Sequence, residues 1–281
     1  GSEMCIRDSF KRNKGIFSGR MILKQEAIMT DLHWILKQVE KPARYIGSEI
    51  NMVEKDPASV ATRIAFCFPD TYEVGMSHLG LQILYFFFNR REDTYCERCF
   101  APWYDMEEKM RENNIPLYAL ETGEPLKNFD FVMFTLQFEM SYTNIINMLD
   151  LAGIPIYAKD RGEDDPIIMG GGPCAYNPEP LADFFDLFYI GEGEVSYDEF
   201  LDMYKEHKKE GGTKDEFLRK ALKIEGIYVP KFYDVTYKDN GEIKSITPNH
   251  PDALKTVRKV IVKNLDDAFY PEKQLVPLIE V

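Results

Sequence analysis

Four short, continuous apolar runs constrain the fold of this chain more than any other feature of its sequence. They are IAFCF at 64–68, FVMF at 131–134, IIM at 167–169 and LFYI at 187–190. Runs this short with no polar alternation are typical of strands that are buried on both faces. The stretches between them at 78–89, 103–113 and 141–152 are predicted to be helices, with Ser77 and Ser141 as side-chain caps. Strand and helix therefore alternate along the chain.

This alternation predicts an α/β fold with a doubly wound, flavodoxin- or Rossmann-like parallel sheet, which we place at residues 61–210. We expect a tag-like or unstructured tail at 1–20, then an N-terminal helix and arm at 21–60, because apolar residues recur at helical spacing up to Pro42. Beyond the sheet, alternating residues around Asn240-Gly241 predict a β-hairpin, which with a helix forms a subdomain at 211–256. Residues 257–281 are expected to be a strand or linker into a further domain.

The loops after the apolar runs are the candidate ligand-binding segments, because doubly wound domains bind ligands beyond the carboxyl ends of their strands. One such loop contains Gly170, Gly171 and Gly172, and another is Gly191-Glu192-Gly193. Glycines let a ligand approach the backbone closely, but a tight turn also explains the triplet, and Glu192 also suits a helix N-terminus. The sequence contains no G-x-G-x-x-G after the first run and no G-x-x-x-x-G-K-[ST]. It therefore argues against NAD, FAD and P-loop nucleotides.

The charge balance excludes some partners. The chain has 34 Lys and Arg against 47 Asp and Glu, a net charge of -13. This charge opposes non-specific attraction to nucleic acid or anionic lipid. The sequence contains no apolar stretch long enough to span a membrane and no secretory signal at its start. We expect a cytoplasmic protein without membrane or direct nucleic-acid contacts.

The cysteines indicate reduced thiols rather than a disulfide framework or a metal site. There are five, at positions 5, 67, 96, 99 and 174, an odd number spread through a long chain. Cys96 and Cys99 form a C-x-x-C pair, but a structural zinc site needs a second pair of ligands, which is not evident nearby. A chance pairing near a strand is the favoured explanation, and we predict no metal ligands.

Five segments, taken in order, carry a resemblance to a known family. They are FCFPDTYEVGMSHLGLQILY, FAPWYDME, FTLQFEMSYTNIINMLDLAGIP, GGGPCAYNPEPLADFFD and GEGE. In this order they resemble the N-terminal half of cobalamin-binding-type radical-SAM proteins. The resemblance implies a flavodoxin-like cobalamin-binding domain followed by a radical-SAM barrel that opens with C-x-x-x-C-x-x-C. That motif does not occur in this sequence.

The missing motif implies that the [4Fe-4S] cluster and S-adenosylmethionine belong to a catalytic half outside this chain. We therefore expect a fragment that is catalytically inert, with no catalytic residues of its own. Its expected partners are its own radical-SAM domain and an unknown substrate. Two alternatives stay open, namely a cofactor-free doubly wound scaffold or partner-docking domain, and a flavin- or nucleotide-binding domain. Aromatic side chains filling the crevice would count against any bound ligand.

The resemblance also implies where cobalamin would bind. None of the four histidines fits the axial-ligand pattern D-x-H-x-x-G, which is compatible with a histidine-off cobalamin. The nucleotide tail would lie against Gly170, Gly171, Gly172, Pro173, Gly191, Glu192 and Gly193. The corrin would lie over Thr135, Leu136 and Gln137, with its amides near Ser77 and His78. For His78, a hydrogen bond to the backbone at a helix start is the simpler explanation.

Overall fold

A computed structural model describes residues 32–277 of the 281-residue chain. The described strands are β1 Thr62–Phe68, β2 Thr94–Phe100, β3 Phe131–Thr135, β4 Ile167–Gly171, β5 Leu187–Tyr189, β6 Ile227–Tyr228, β7 Tyr233–Tyr237 and β8 Ile243–Pro248. The α-helices are α1 Tyr72–Met76, α2 Leu79–Asn89, α3 Tyr104–Glu112, α4 Tyr142–Leu151, α5 Tyr197–Glu210 and α6 Lys214–Ala221. Residues 32–36 are also helical. The predicted tail at 1–20, the first part of the predicted N-terminal helix and residues 278–281 lie outside the described range.

The central sheet confirms the predicted α/β class. Its strand order is β2-β1-β3-β4-β5-β6, with β1 to β5 parallel and β6 antiparallel. The order β2-β1-β3-β4-β5 is that of flavodoxin-like sheets, in which the direction of winding reverses between β1 and β3. The carboxyl ends of these two strands therefore border the crevice in which such folds bind ligands. In the described part of the chain, no helix is long and apolar enough to cross a membrane.

Strand β2 is a strand of the central sheet that the apolar runs did not predict. Its sequence, TYCERCF, contains two charged residues, yet all seven of its residues are buried. The charges are tolerated because both are paired: Glu97 with Arg63 at 2.5 Å, and Arg98 with Glu49 and Glu121, each at 2.6 Å. Buried ion pairs thus replace hydrophobic side chains on this edge strand.

The C-x-x-C pair lies inside β2. Cys96 and Cys99 are both buried, and residues three apart in a strand point to opposite faces of the sheet. One metal ion therefore cannot contact both thiols. Among residues 32–277, no group of three or more His, Cys, Asp or Glu side chains is arranged to hold a metal.

Helix α2 packs against the sheet through Leu81, Tyr85 and Phe88, all fully buried. The prediction that Ser77 caps this helix was wrong. His78 is the cap, and its Nδ1 accepts a hydrogen bond from the Leu81 N–H at 3.1 Å. The Ser141 prediction also fails, since that hydroxyl donates to the Phe138 carbonyl at 2.7 Å. In both cases the serine hydroxyl donates to a preceding carbonyl, which leaves the helix start without a serine cap.

The structure places the predicted 211–256 segment in two different settings. Helix α6 starts with a capping box between Thr213 and Glu216, and its Phe217 packs on Phe131 of β3 at 6.0 Å between ring centroids. Strand β6 then joins the central sheet. These elements extend the α/β domain, whereas strands β7 and β8 form the predicted hairpin beside it.

Residues 257–263, which we call the strap, cross the carboxyl edge of the sheet. Val260 forms a parallel bridge with Gly191, donating to the Ile190 carbonyl at 3.0 Å and accepting from the Glu192 N–H at 3.1 Å. The Val260 side chain is buried. The chain then continues past α2, where Phe269 contacts Phe87, with 5.8 Å between ring centroids.

Candidate functional site

A cavity of about 150 Å³ opens at the carboxyl edge of the central sheet, and we call it the edge cavity. Its walls come from the start of α2, the ends of β3 and β4, and the loop after β5. This is the edge at which doubly wound sheets bind ligands. The predicted site residues that line it are His78, Thr135, Gln137, Gly171, Gly172, Gly191, Glu192 and Gly193.

Four predicted residues do not line the edge cavity. Ser77 is exposed and donates to the Val74 carbonyl at 2.7 Å. Leu136 is fully buried, and Pro173 starts the 3-10 helix Pro173–Tyr176. Gly170 faces the other side of the sheet.

The environment of Gly170 explains why this position is glycine. A Cβ there would lie 2.9 Å from Leu136 and 3.0 Å from both Phe185 and Phe188. Those distances are too short for a side chain, so close packing within the core requires the glycine. The structure therefore places Gly170 in the core and not among the ligand-facing groups.

Three side chains form a hydrogen-bonded row along one wall of the edge cavity. Gln137 Nε2 donates to Thr135 Oγ1 at 2.5 Å, and the Gln137 side chain interacts with the His78 imidazole and raises its pKa. The His78 ring also stacks at a tilt on Phe68, with 5.4 Å between centroids. Nδ1 of His78 is therefore engaged by the Leu81 N–H, and the ring also interacts with the Gln137 side chain.

Burial lowers the pKa of His78 below its ordinary value, although the hydrogen bond to Gln137 acts in the opposite direction. A neutral histidine whose folded-state pKa is lowered contributes stability above its unfolded pKa of about 6.5, and this is lost as the pH falls through the folded pKa. We expect wild-type protein to lose more stability than His78→Asn between about pH 7.5 and about pH 5, because asparagine caps the helix without titrating. Urea unfolding at each pH measures this, and parallel profiles for the two proteins would contradict it.

The glycines of the loop after β5 make room for the protein's own side chains. A Cβ on Gly193 would lie 2.2 Å from the ring of Tyr197, so that ring fills the space above this glycine. Tyr197 is buried and packs on Tyr189 with 4.7 Å between ring centroids. Sequence reasoning missed both tyrosines, although an aromatic residue at the first position of α5, four residues after Gly193, was the available signal.

Gly191 is held in a similar way by the backbone of the strap. It has φ +130°, and a Cβ there would lie 2.3 Å from the Val260 carbonyl oxygen. The neighbouring Glu192 carboxylate accepts a hydrogen bond from the Val262 N–H. Gly191 and Glu192, both predicted to contact a ligand, thus contact the strap. The sequence pattern did not predict where the strap lies.

Gly171 remains open toward the edge cavity, whereas Gly172 lies close to Leu136 and Gln137. A Cβ on Gly171 would be at ordinary contact distance from the Tyr197 hydroxyl, 3.5 Å away. Gly172 has φ +104°, and a Cβ there would lie 3.0 Å from Gln137 Nε2. This loop therefore brings backbone, rather than side chains, close to the Gln137 amide.

The edge cavity has an acidic wall, and exposed apolar residues adjoin its lining in the sequence. Three exposed apolar residues each adjoin a cavity-lining residue in the sequence: Leu79, Phe138 and Val195. The charged residues of the lining are Glu192 and Glu194, and within the described residues no Lys or Arg lines it. An apolar or neutral ligand suits this surface better than an anion.

Comparison with known proteins places the chain among radical-SAM proteins. The family model described as "Radical SAM proteins, N-terminal" matches residues 80–230, slightly more than half of the chain. The "Uncharacterized protein MJ0966" of Methanocaldococcus jannaschii is 30% identical over 171 residues, covering 60% of this chain and 32% of that protein. The chain thus spans about a third of the length of this relative. No solved structure matches the chain.

Proposed function

We propose that the edge cavity binds part of a cobalamin, because this chain belongs to the family of N-terminal domains of radical-SAM proteins. The radical-SAM domain that would use this cofactor belongs to the full-length protein. The family description specifies no cobalamin, so the cofactor is our inference from the sequence resemblance and the site. Radical cleavage of S-adenosylmethionine, and the substrate that it serves, are likewise proposals for the whole protein.

The observation that carries this proposal is the position of the edge cavity. It opens at the carboxyl edge next to the β1/β3 reversal, and apolar residues adjoin its lining. A corrin is a planar ring with apolar faces and neutral carboxamide side chains. Thr135 and Gln137 would lie under such a ring, while Gly171 and Gly172 would admit part of it to the backbone. When bound, cobalamin would supply a cobalt centre that exchanges carbon groups and electrons.

The cobalt would have no histidine ligand from the described part of this chain. His78 is the histidine that lines the edge cavity; its Nδ1 already accepts a hydrogen bond from the Leu81 N–H, and its ring interacts with the Gln137 side chain. Releasing either nitrogen would cost the helix cap or the contact with Gln137. These contacts support a histidine-off mode of binding.

We expect hydroxocobalamin to bind the purified protein with a saturable change in absorbance, and Gly171→Phe to abolish it. A phenylalanine ring at this position would fill the edge cavity, because Gly171 lines it and faces the Tyr197 hydroxyl. The matched control is Gly162→Phe, in an exposed loop whose Cβ would have its nearest neighbour 4.0 Å away. Equal binding by wild type and Gly171→Phe would contradict the assigned site, and no binding by wild type would contradict cobalamin.

The second candidate is a cofactor-free scaffold that docks the radical-SAM domain. It is favoured by one observation, namely that the Tyr197 ring occupies the space above Gly193. A nucleotide tail would thus be confined to the edge cavity unless Tyr197 moves. Failure of wild-type protein to retain cobalamin in this titration would select this second candidate.

A further inference from the structure

We propose that the edge cavity recognises a primary carboxamide, whose carbonyl oxygen accepts the Thr135 hydroxyl proton and whose amide protons face the carboxylates of Glu192 and Glu194. The inference deepens the proposed function because it rests on the same cavity and assigns the chemistry of its ligand. It follows from the direction of the hydrogen bonds in the His78–Gln137–Thr135 row.

The direction is fixed at His78. Its Nδ1 accepts from the Leu81 N–H at the start of α2, so this nitrogen carries no proton. A neutral imidazole carries its one proton on the other nitrogen, and Nε2 must therefore be a donor. Gln137 raises the pKa of His78, as a carbonyl oxygen beside the imidazole does, in agreement with this direction.

The orientation of Gln137 follows from this. Gln137 Nε2 donates to Thr135 Oγ1 at 2.5 Å, which leaves the Gln137 carbonyl oxygen to face the imidazole. Thr135 Oγ1 is thus an acceptor in the row, and its own proton must go elsewhere. Among residues 32–277 the hydroxyl of Thr135 donates to no other group. Thr135 lines the edge cavity, which is where this proton is available to a ligand.

The acidic residues of the lining determine which kind of hydrogen-bond acceptor the ligand carries. The charged groups on the lining are Glu192 and Glu194, so a carboxylate or phosphate at this depth would be repelled. The strap N–H of Val262 occupies one oxygen of Glu192, and the other oxygen remains an acceptor. A primary carboxamide has one neutral acceptor and two N–H donors. It can therefore accept from the Thr135 hydroxyl and donate to the glutamates on the other wall. Corrinoids carry such groups around the ring.

The first test reads the direction of the row without any ligand. Protein labelled with ¹⁵N-histidine gives the protonation state of each imidazole nitrogen by long-range ¹H–¹⁵N spectra, and His78→Asn assigns the His78 signal. We expect His78 neutral at pH 7, with its proton on Nε2. A proton on Nδ1 would reverse the row, make Thr135 a donor to Gln137 and overturn the inference.

The second test compares cobinamide, which carries carboxamides, with cobyrinic acid, which carries carboxylates in their place. Cobinamide is expected to bind at least tenfold more tightly to wild type, and Thr135→Val to weaken it by about tenfold, the loss typical of one hydrogen bond. Thr135→Ser keeps the hydroxyl and should restore binding, while Thr236→Val on the exposed hairpin should change nothing. Equal affinity for the two corrinoids, or no effect of Thr135→Val, would overturn the carboxamide assignment and leave cobalamin binding standing.

If neither corrinoid binds, the proposed function fails. Comparing the affinities for nicotinamide and nicotinate then tests the carboxamide inference separately. A preference for nicotinamide that Thr135→Val abolishes and Thr135→Ser restores would support a carboxamide site of another cofactor. No preference between the two would overturn it.

Discussion

Replacing Arg98 by methionine is expected to lower the free energy of unfolding by about 3–5 kcal/mol, the range typical of breaking a buried ion pair. The Arg98 side chain is fully buried and contacts the buried carboxylates of Glu49 and Glu121, each at 2.6 Å. Arg98→Met would leave both carboxylates in the core without a counter-charge. The loss would also detach Glu49, through which the N-terminal arm is tied to β2. Urea denaturation measures the effect.

Two comparisons separate charge burial from loss of packing. Arg111→Met removes an arginine that is 43% exposed and pairs with Glu107 and Asp150 on the surface, so it should change stability by about 0.5 kcal/mol or less. Combining Arg98→Met with Glu49→Gln and Glu121→Gln removes the stranded charges and should recover part of the loss. An Arg98→Met protein as stable as Arg111→Met would show that the pairs contribute nothing.

Gly191→Ala is expected to release the strap. A Cβ at this position would lie 2.3 Å from the Val260 carbonyl oxygen and 2.5 Å from its nitrogen, and backbone atoms cannot rotate away as a side chain can. The two bridge hydrogen bonds and the burial of Val260 should be lost together. With the strain of φ +130° added, we expect a loss of roughly 2–4 kcal/mol. Trypsin cleavage at Arg258, Lys259 and Lys263 should accelerate at least tenfold.

The control for this prediction is Gly241→Ala. Gly241 also has a positive φ, +85°, but a Cβ there would meet no atom within 4 Å. It should therefore show the backbone strain, about 1–2 kcal/mol, without faster cleavage in the strap. If the two variants are cleaved at the same rate, the close approach of Val260 to Gly191 does not hold the strap.

The sequence was sufficient to predict the four strands that contain a continuous apolar run, because such a run is most readily buried in the interior of a sheet. It was insufficient for β2, where burial depends on partners distant in sequence: Glu97 needs Arg63, and Arg98 needs Glu49 and Glu121. Local pattern cannot register a charge that another segment will neutralise.

The same reason limited the candidate site. Placing loops at the carboxyl edge correctly brought His78, Thr135, Gln137 and the Gly171-Gly172 loop together around the edge cavity. For Gly191 and Gly193, the group that approaches the backbone is set by tertiary contacts. Gly193 makes room for Tyr197, and Gly191 makes room for Val260. A glycine signals a close approach, but the sequence alone does not say whether a ligand or the chain itself approaches.

The contact between Asn51 and the end of the described chain has a consequence for synthesis on the ribosome. The Asn51 side-chain amide donates to the Gln274 carbonyl at 2.6 Å, across a gap of 223 residues, and its N–H donates to the Leu275 carbonyl at 3.2 Å. At translation rates of about 5–20 residues per second, that gap takes roughly 10–45 s to synthesise. Phe87 and its ring partner Phe269 are separated by about 180 residues, so this contact forms roughly 9–36 s after Phe87 is made. The nascent domain therefore lacks both the Asn51 contacts and the Phe87–Phe269 ring contact until the segment around 269–275 has been synthesised.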